Sequence, residues 1–208
     1  MTYIDISRTL SPATAVWTGD SPFVLQQKLR LADGDTVNLT TIHVSAHMGT
    51  HVDAPSHFAI DGHTMESAPL EVYWGPAQVV TVAKEVGPLF PADFANVELG
   101  RAPRLLVNSR HAERDHGHFY PDFVHPSPEL ADFLGQHGII LYGADAPSMD
   151  DSQSQTLPGH HAMLRNNIYI MEGLDLRLAP DGLYELSAFP LKIATGDGSP
   201  VRAVLRTL

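Results

Sequence analysis

The sequence predicts an α/β protein built on a mixed β-sheet or flattened barrel with short helices. Three observations carry that expectation. Short apolar runs bounded by Gly, Pro or Asp outnumber helical stretches. The clearest helix, at 127–138, has both start and stop signals. Sixteen Gly and sixteen Pro, spread along the chain, cut it into many short elements.

The elements follow in order. Tyr3–Ser7 alternates and reads as an edge strand. Residues 11–23 are rich in turn formers and carry Trp17, one of two tryptophans. A Trp on such a loop is most simply the wall of a pocket, the alternative being a ring folded back on the core. Phe23–Leu31 and Thr36–Val44 read as strands joined at Asp33-Gly34-Asp35. Gln78–Val82 and Arg104–Asn108 are buried-strand candidates. His111, His116, His118 and His125 lie among Asp, Gly and Pro with no metal-like spacing to a carboxylate, and read as a surface loop. Ser127 caps the predicted helix, Pro128 starts it and Gly138 stops it. The strand 138–143 ends at a loop holding Asp145, which either supports the site or merely holds the turn. His160–Arg165 reads as one to two helical turns, and Ile168–Met171 as a strand closed by Glu172. Strands at 184–192 and 201–205 flank a turn at 195–200.

Composition limits the function. The 208 residues suit one domain, 1–208, with a single core. A formal net charge of −11, from 13 basic and 24 acidic residues, argues against nucleic acid or an anionic membrane as partner. With no cysteine, disulfides and thiol chemistry are excluded, and any metal falls to His and carboxylate. The same absence is compatible with the cytoplasm, which is the expected location. Residues 1–10 lack the basic start and apolar run of a signal peptide. No stretch approaches the ~20 apolar residues of a membrane span.

The chemistry concentrates in Ser45-Ala-His-Met-Gly-Thr-His-Val-Asp-Ala-Pro-Ser-His-Phe58. His47, His51, Asp53 and His57 are ligand types that zinc and similar ions prefer. On an extended strand His47 and Asp53 would stand roughly 20 Å apart, too far for one ion. One helical turn would instead bring His47 and His51 within about 5–6 Å, with Asp53 reaching in from its exit. Pro55 would then extend the chain and carry His57 past the site as a proton-transfer group.

The run H-x-G-T-H-x-D-x-P-x-H-F resembles the signature of the cyclase family of metal-dependent hydrolases, which includes the bacterial kynurenine formamidases. The loop V-W-T-G-D-S-P-F around Trp17 resembles theirs, with Thr18 where Pro is common, as do the C-terminal runs L-x-x-x-P-L-K and S-P-V-R-A-V-L. The resemblance implies a swivelling β/β/α-type fold and a homodimer. It implies two divalent ions, most simply Zn2+, one held by His47, His51 and Asp53. The other would be held by His160 and Glu172, with Asp53 as a bridge, because His160 stands twelve residues before Glu172 as in the family. His161 then either supports the site or packs the short helix. The implied activity is hydrolysis of N-formyl-L-kynurenine, with Trp17 against the substrate and His57 moving the proton. A sister hydrolase acting on another aryl amide, an isatin-like cyclic amide or a lactone is the rival. A non-catalytic metal-binding protein fits less well, because the ligand sets leave open positions.

Overall fold

Arg104-Leu-Leu-Val-Asn108 shows how the fold is organised. Successive strand residues point to opposite faces. Leu106 enters one core, while Leu105 and Val107 enter another. Leu141 and Tyr142 divide in the same way, as do Met171 and Ile170. These strands are apolar on both faces because both faces are covered.

The computed structural model describes residues 1–208. Its strands are β1 (Tyr3–Asp5), β2 (Val24–Leu29), β3 (Leu39–His43), β4 (His51–Asp53), β5 (Trp74–Thr81), β6 (Gly87–Leu89), β7 (Arg104–Asn108), β8 (Val124–Pro126), β9 (Leu141–Ala144), β10 (Tyr169–Glu172), β11 (Gly182–Ser187), β12 (Gly198–Pro200) and β13 (Val204–Thr207). The helices are α1 (Pro128–Gln136) and α2 (Pro158–Arg165). Nine strands form a curled, open mixed sheet in the order β1-β13-β11-β5-β7-β9-β10-β4-β12. The central neighbours from β5 to β10 run parallel, and the flanking pairs are antiparallel. This is the α/β class with a mixed sheet that the sequence predicts.

The predicted elements recur with local changes. Ser127 Oγ accepts the Leu130 N–H at 3.1 Å and caps α1, and Gly138 takes φ 74° beyond its end. Leu130 and Leu134 are buried against α2 and the sheet. The predicted hairpin forms as β2 and β3, but as a separate two-stranded sheet. The predicted helical turn over His47–His51 does not form. The chain makes a non-helical turn in which Gly49 takes φ 68°, and His51 already begins β4. Nor does the chain extend after Pro55. Ala54 is extended, as the following Pro requires, but Pro55–His57 then forms a short 3-10 helix. The expected turn at 195–200 also contains β12, which pairs with β4. No helix is long and apolar enough to cross a membrane.

Candidate metal centre

Register builds the site. In β4, His51 and Asp53 are two residues apart and share a face. Glu172 pairs directly opposite His51 across β10. On the other edge of β4, Gly198 of β12 pairs with Asp53. A Cβ at Gly198 would stand 2.7 Å from His47 Cε1, so only glycine leaves room for that ring. The tight turn then returns His47 to the cluster, with its ring centre 5.2 Å from that of His51. The Pro55–His57 turn brings His57 back as well, at 3.9 Å from the His47 ring centre. Helix α2 supplies His160, which is buried, while His161 is exposed and packs edge-on to Phe58.

The donor atoms converge. His51 Nε2 lies 3.5 Å from Asp53 Oδ1 and 3.4 Å from Glu172 Oε2. His160 Nε2 lies 3.6 Å from Asp53 Oδ2 and 3.6 Å from Glu172 Oε1. These spacings exceed a normal N–H···O bond. They match two ligands of one ion, since bonds of 2.0–2.2 Å at a tetrahedral angle put ligand atoms about 3.4 Å apart. Glu172 Oε1 and His47 Nε2 are buried with no hydrogen-bond partner, an expense a purely structural cluster would avoid. The far ring nitrogens are already engaged. His51 Nδ1 donates to the Gly49 carbonyl at 3.1 Å, and His160 Nδ1 donates to Asp150 at 2.6 Å. Each bond fixes the tautomer that turns Nε2 toward the cluster. The donor set therefore fits divalent cations.

Geometry divides the donors differently from the sequence-based sets. One group is His47, Asp53 and His57, and the other is His51, Asp53 and Glu172; within each, the donor atoms lie within 4.8 Å of one another. Asp53 belongs to both, and His160 faces the second. His47 Nδ1 sits 2.9 Å from Asp53 Oδ1. His57 thus joins a ligand-type group instead of standing past the site.

Electrostatics agree with a site awaiting positive charge. Burial opposes the imidazolium of His51, yet Asp53 and Glu172 outweigh it and raise its pKa to about 10. Burial likewise opposes His160, and Asp150 and Asp53 raise it to about 10. Burial works against the Asp53 carboxylate, but three histidines hold it well below the usual range. Glu172 is pushed up by burial and by the charge of Asp53. Burial lowers His57, leaving a neutral imidazole at neutral pH.

The cluster opens into a cleft of about 570 Å³, which Trp17, Ser148, Gln155 and Asp197 help to line. Trp17 is 38% exposed and packs edge-on to Phe119 at 4.9 Å, so it stands on the cleft wall and outside the core.

Residues 4–151 match the family model described as "Putative cyclase". The chain belongs to the cyclase family. The kynurenine formamidase of Salinibacter ruber is 42% identical over 208 residues, covering 99% of this chain and 98% of that relative. Isatin hydrolase A of Labrenzia aggregata, solved with benzyl benzoate bound, superposes with TM-score 0.86 at 26% identity, over 98% of this chain and 93% of that one. A predicted metal-dependent hydrolase of Bacillus stearothermophilus superposes with TM-score 0.83 at 24% identity, over 98% and 97%, and shares the fold. In this cyclase-family chain the two clustered His/Asp/Glu groups form a metal-dependent hydrolase site suited to two divalent ions.

Sequence reasoning missed several residues of the site. The sequence offers no functional reading for Asp150, yet it is 2% exposed and holds His160. Asp197 falls in the expected turn, yet its Oδ2 lies 3.4 Å from His47 Nε2 and 3.6 Å from His57 Nδ1. His111, expected on a surface loop, is buried, at 8% exposure. Asp145 holds the turn, accepting from Ser109 Oγ at 2.6 Å, Ser109 N at 3.1 Å and Ala112 N at 3.4 Å. The one available signal for Asp150 was a carboxylate in a loop ten residues before a candidate ligand.

Proposed function

We propose that the protein hydrolyses N-formyl-L-kynurenine to L-kynurenine and formate. The observation that carries this reading is the full-length 42% identity to a kynurenine formamidase. The geometry agrees with it, because paired donor groups open into a cleft with an indole on its wall.

In this reading His47, His51, Asp53, His160 and Glu172 hold two ions, most simply Zn2+. When bound, the ions would supply Lewis-acid polarisation of the formyl carbonyl and a water acidic enough to attack at neutral pH. Trp17 sets the aryl ring against the cleft wall. His57 accepts the proton of the attacking water in its neutral form and returns it to the aniline nitrogen as that group leaves. Asp197, near both His57 and His47, keeps the His57 ring aimed into the cleft.

Two further readings accompany this one. The β2–β3 hairpin exposes Val24, Leu25, Leu39 and Ile42 on a sheet with no cover, and we assign it to a homodimer contact. We place the enzyme in the cytoplasm, with which a chain free of cysteine is compatible.

The test is formate release from N-formyl-L-kynurenine by metal-loaded and chelator-treated protein. Turnover that disappears with the metal is expected. Full activity without metal would overturn the mechanism. Much faster opening of isatin, the substrate named for the Labrenzia relative, would move the assignment to that branch of the family.

A further inference from the structure

A second, narrower cavity of about 70 Å³ shares Trp17, Asp20, His47 and His51 with the metal cleft. A water needs about 10–15 Å³ of such space, so the cavity has room for a small polar group. Its lining includes two N–H-bearing groups with unmet capacity. Arg8 Nε is buried with no partner, and so is Nδ1 of buried His111. Burial pushes His111 down to about 4, helped by the cations of Arg8 and Arg114, so the ring is neutral and can carry a hydrogen on Nδ1. Arg114 also lines the cavity, but it is committed to Asp122 at 3.0 and 3.2 Å and packs over Tyr120. Arg8 gives one terminal nitrogen to the Asp145 carbonyl, and Asp145 and Asp175 balance its charge. Its Nε–H is left without a protein acceptor beside the cavity that the side chain helps to line. Asp20 lies on the border of both spaces. Its Oδ1 accepts from Ser21 N at 2.6 Å, and Oδ2 has no protein donor.

A paired buried donor set costs stability unless something accepts from it. Placed beside a carboxylate, this set matches a group bearing both charges. We propose that Arg8 and His111 receive the α-carboxylate, and Asp20 the α-ammonium, of an α-amino-acid substrate whose scissile amide lies in the metal cleft. The proposal rests on the formylkynurenine reading and names what that reading leaves open, the residues that select an amino acid over a plain anilide. Trp17 lines both spaces, so the aryl ring lies against it in the metal cleft while the amino-acid end reaches the narrower cavity.

The experiment compares N-formyl-L-kynurenine with formanilide, which has the same bond and no amino-acid end. Both are assayed with metal-loaded wild type, Arg8→Met, His111→Phe and Asp20→Asn. Each variant should lower the ratio of the two kcat/KM values by 10–100-fold, the weight of one hydrogen bond to a charged group, chiefly through KM for formylkynurenine. L-Kynurenine should raise the melting temperature of wild type more than that of Arg8→Met. 2-Aminoacetophenone should raise both alike. Three variants guard against one of them misfolding. If wild type cleaves both substrates and every variant loses both equally, the subsite is wrong and the formamidase reading stands. If wild type cleaves formanilide but not formylkynurenine, the reading fails and takes the subsite with it.

Discussion

Replacing Asp150 with Ala tests the claim that a residue outside the donor set governs it. Asp150 is 2% exposed. Its Oδ1 accepts from Gly159 N at 2.6 Å, and its Oδ2 accepts from His160 N at 3.0 Å and His160 Nδ1 at 2.6 Å. The first two bonds satisfy N–H groups in the opening turn of α2, and the third aims the imidazole. Alanine leaves all three donors unmet. A buried donor left unmet costs about 1–3 kcal/mol, and water reaching part of the turn reduces the sum to roughly 2–4 kcal/mol. At about 2–4 °C per kcal/mol for a chain of this size, the metal-free protein should melt roughly 5–15 °C lower. Metal affinity should fall 10–100-fold, the usual cost of removing the partner that orients a ligand histidine. Asp150→Asn keeps acceptor capacity without the charge and should fall between. Thermal melts of the metal-free form and chelator-competition titrations measure the two effects separately. An Asp150→Ala protein with wild-type melting and wild-type affinity would refute the reasoning.

Four other outcomes are expected. His51 and His160, raised to about 10, hold protons in the metal-free protein at pH 7.5. Metal loading should then release about two protons, read by calorimetry in buffers of different ionisation enthalpy, and affinity should climb with pH; no proton release would contradict the assignment. Because those pKa values are raised, the stability they contribute is complete below the ordinary 6.5 and is lost as pH rises toward about 10. The metal-free melting temperature should fall across that window. Gly198→Ala, whose Cβ would meet His47 Cε1 at 2.7 Å and Val52 O at 3.1 Å, should lower metal content by elemental analysis. His160→Ala should remove metal while exposed His161→Ala keeps it, and the reverse would show the family alignment of this segment to be one residue out of register.

Much of this molecule is legible in local pattern. The α1 signals act within one turn, so Ser127 and Gly138 could be read from neighbours alone. The apolar run at Arg104–Asn108 is a strand because burial on both faces demands it. The motif around His47 announced metal chemistry through residue type. Its geometry was not legible, because the bend at Gly49 and the placing of His57 depend on β10 and β12, more than a hundred residues away. Asp150, Asp197 and buried His111 were missed for the same reason. An Asp in a Gly- or Ser-rich loop looks like a turn residue until the sheet shows what it faces.

The stretch from His47 to Asp53 carries three of the proposed ligands, while His160 and Glu172 come from far along the chain. A denatured ensemble keeps those three as neighbours, with His57 close by, so it behaves as a weak chelating peptide. Metal therefore stabilises the native state only by the difference between the two affinities. Melting temperatures of the loaded enzyme will understate how tightly the native centre holds its ions.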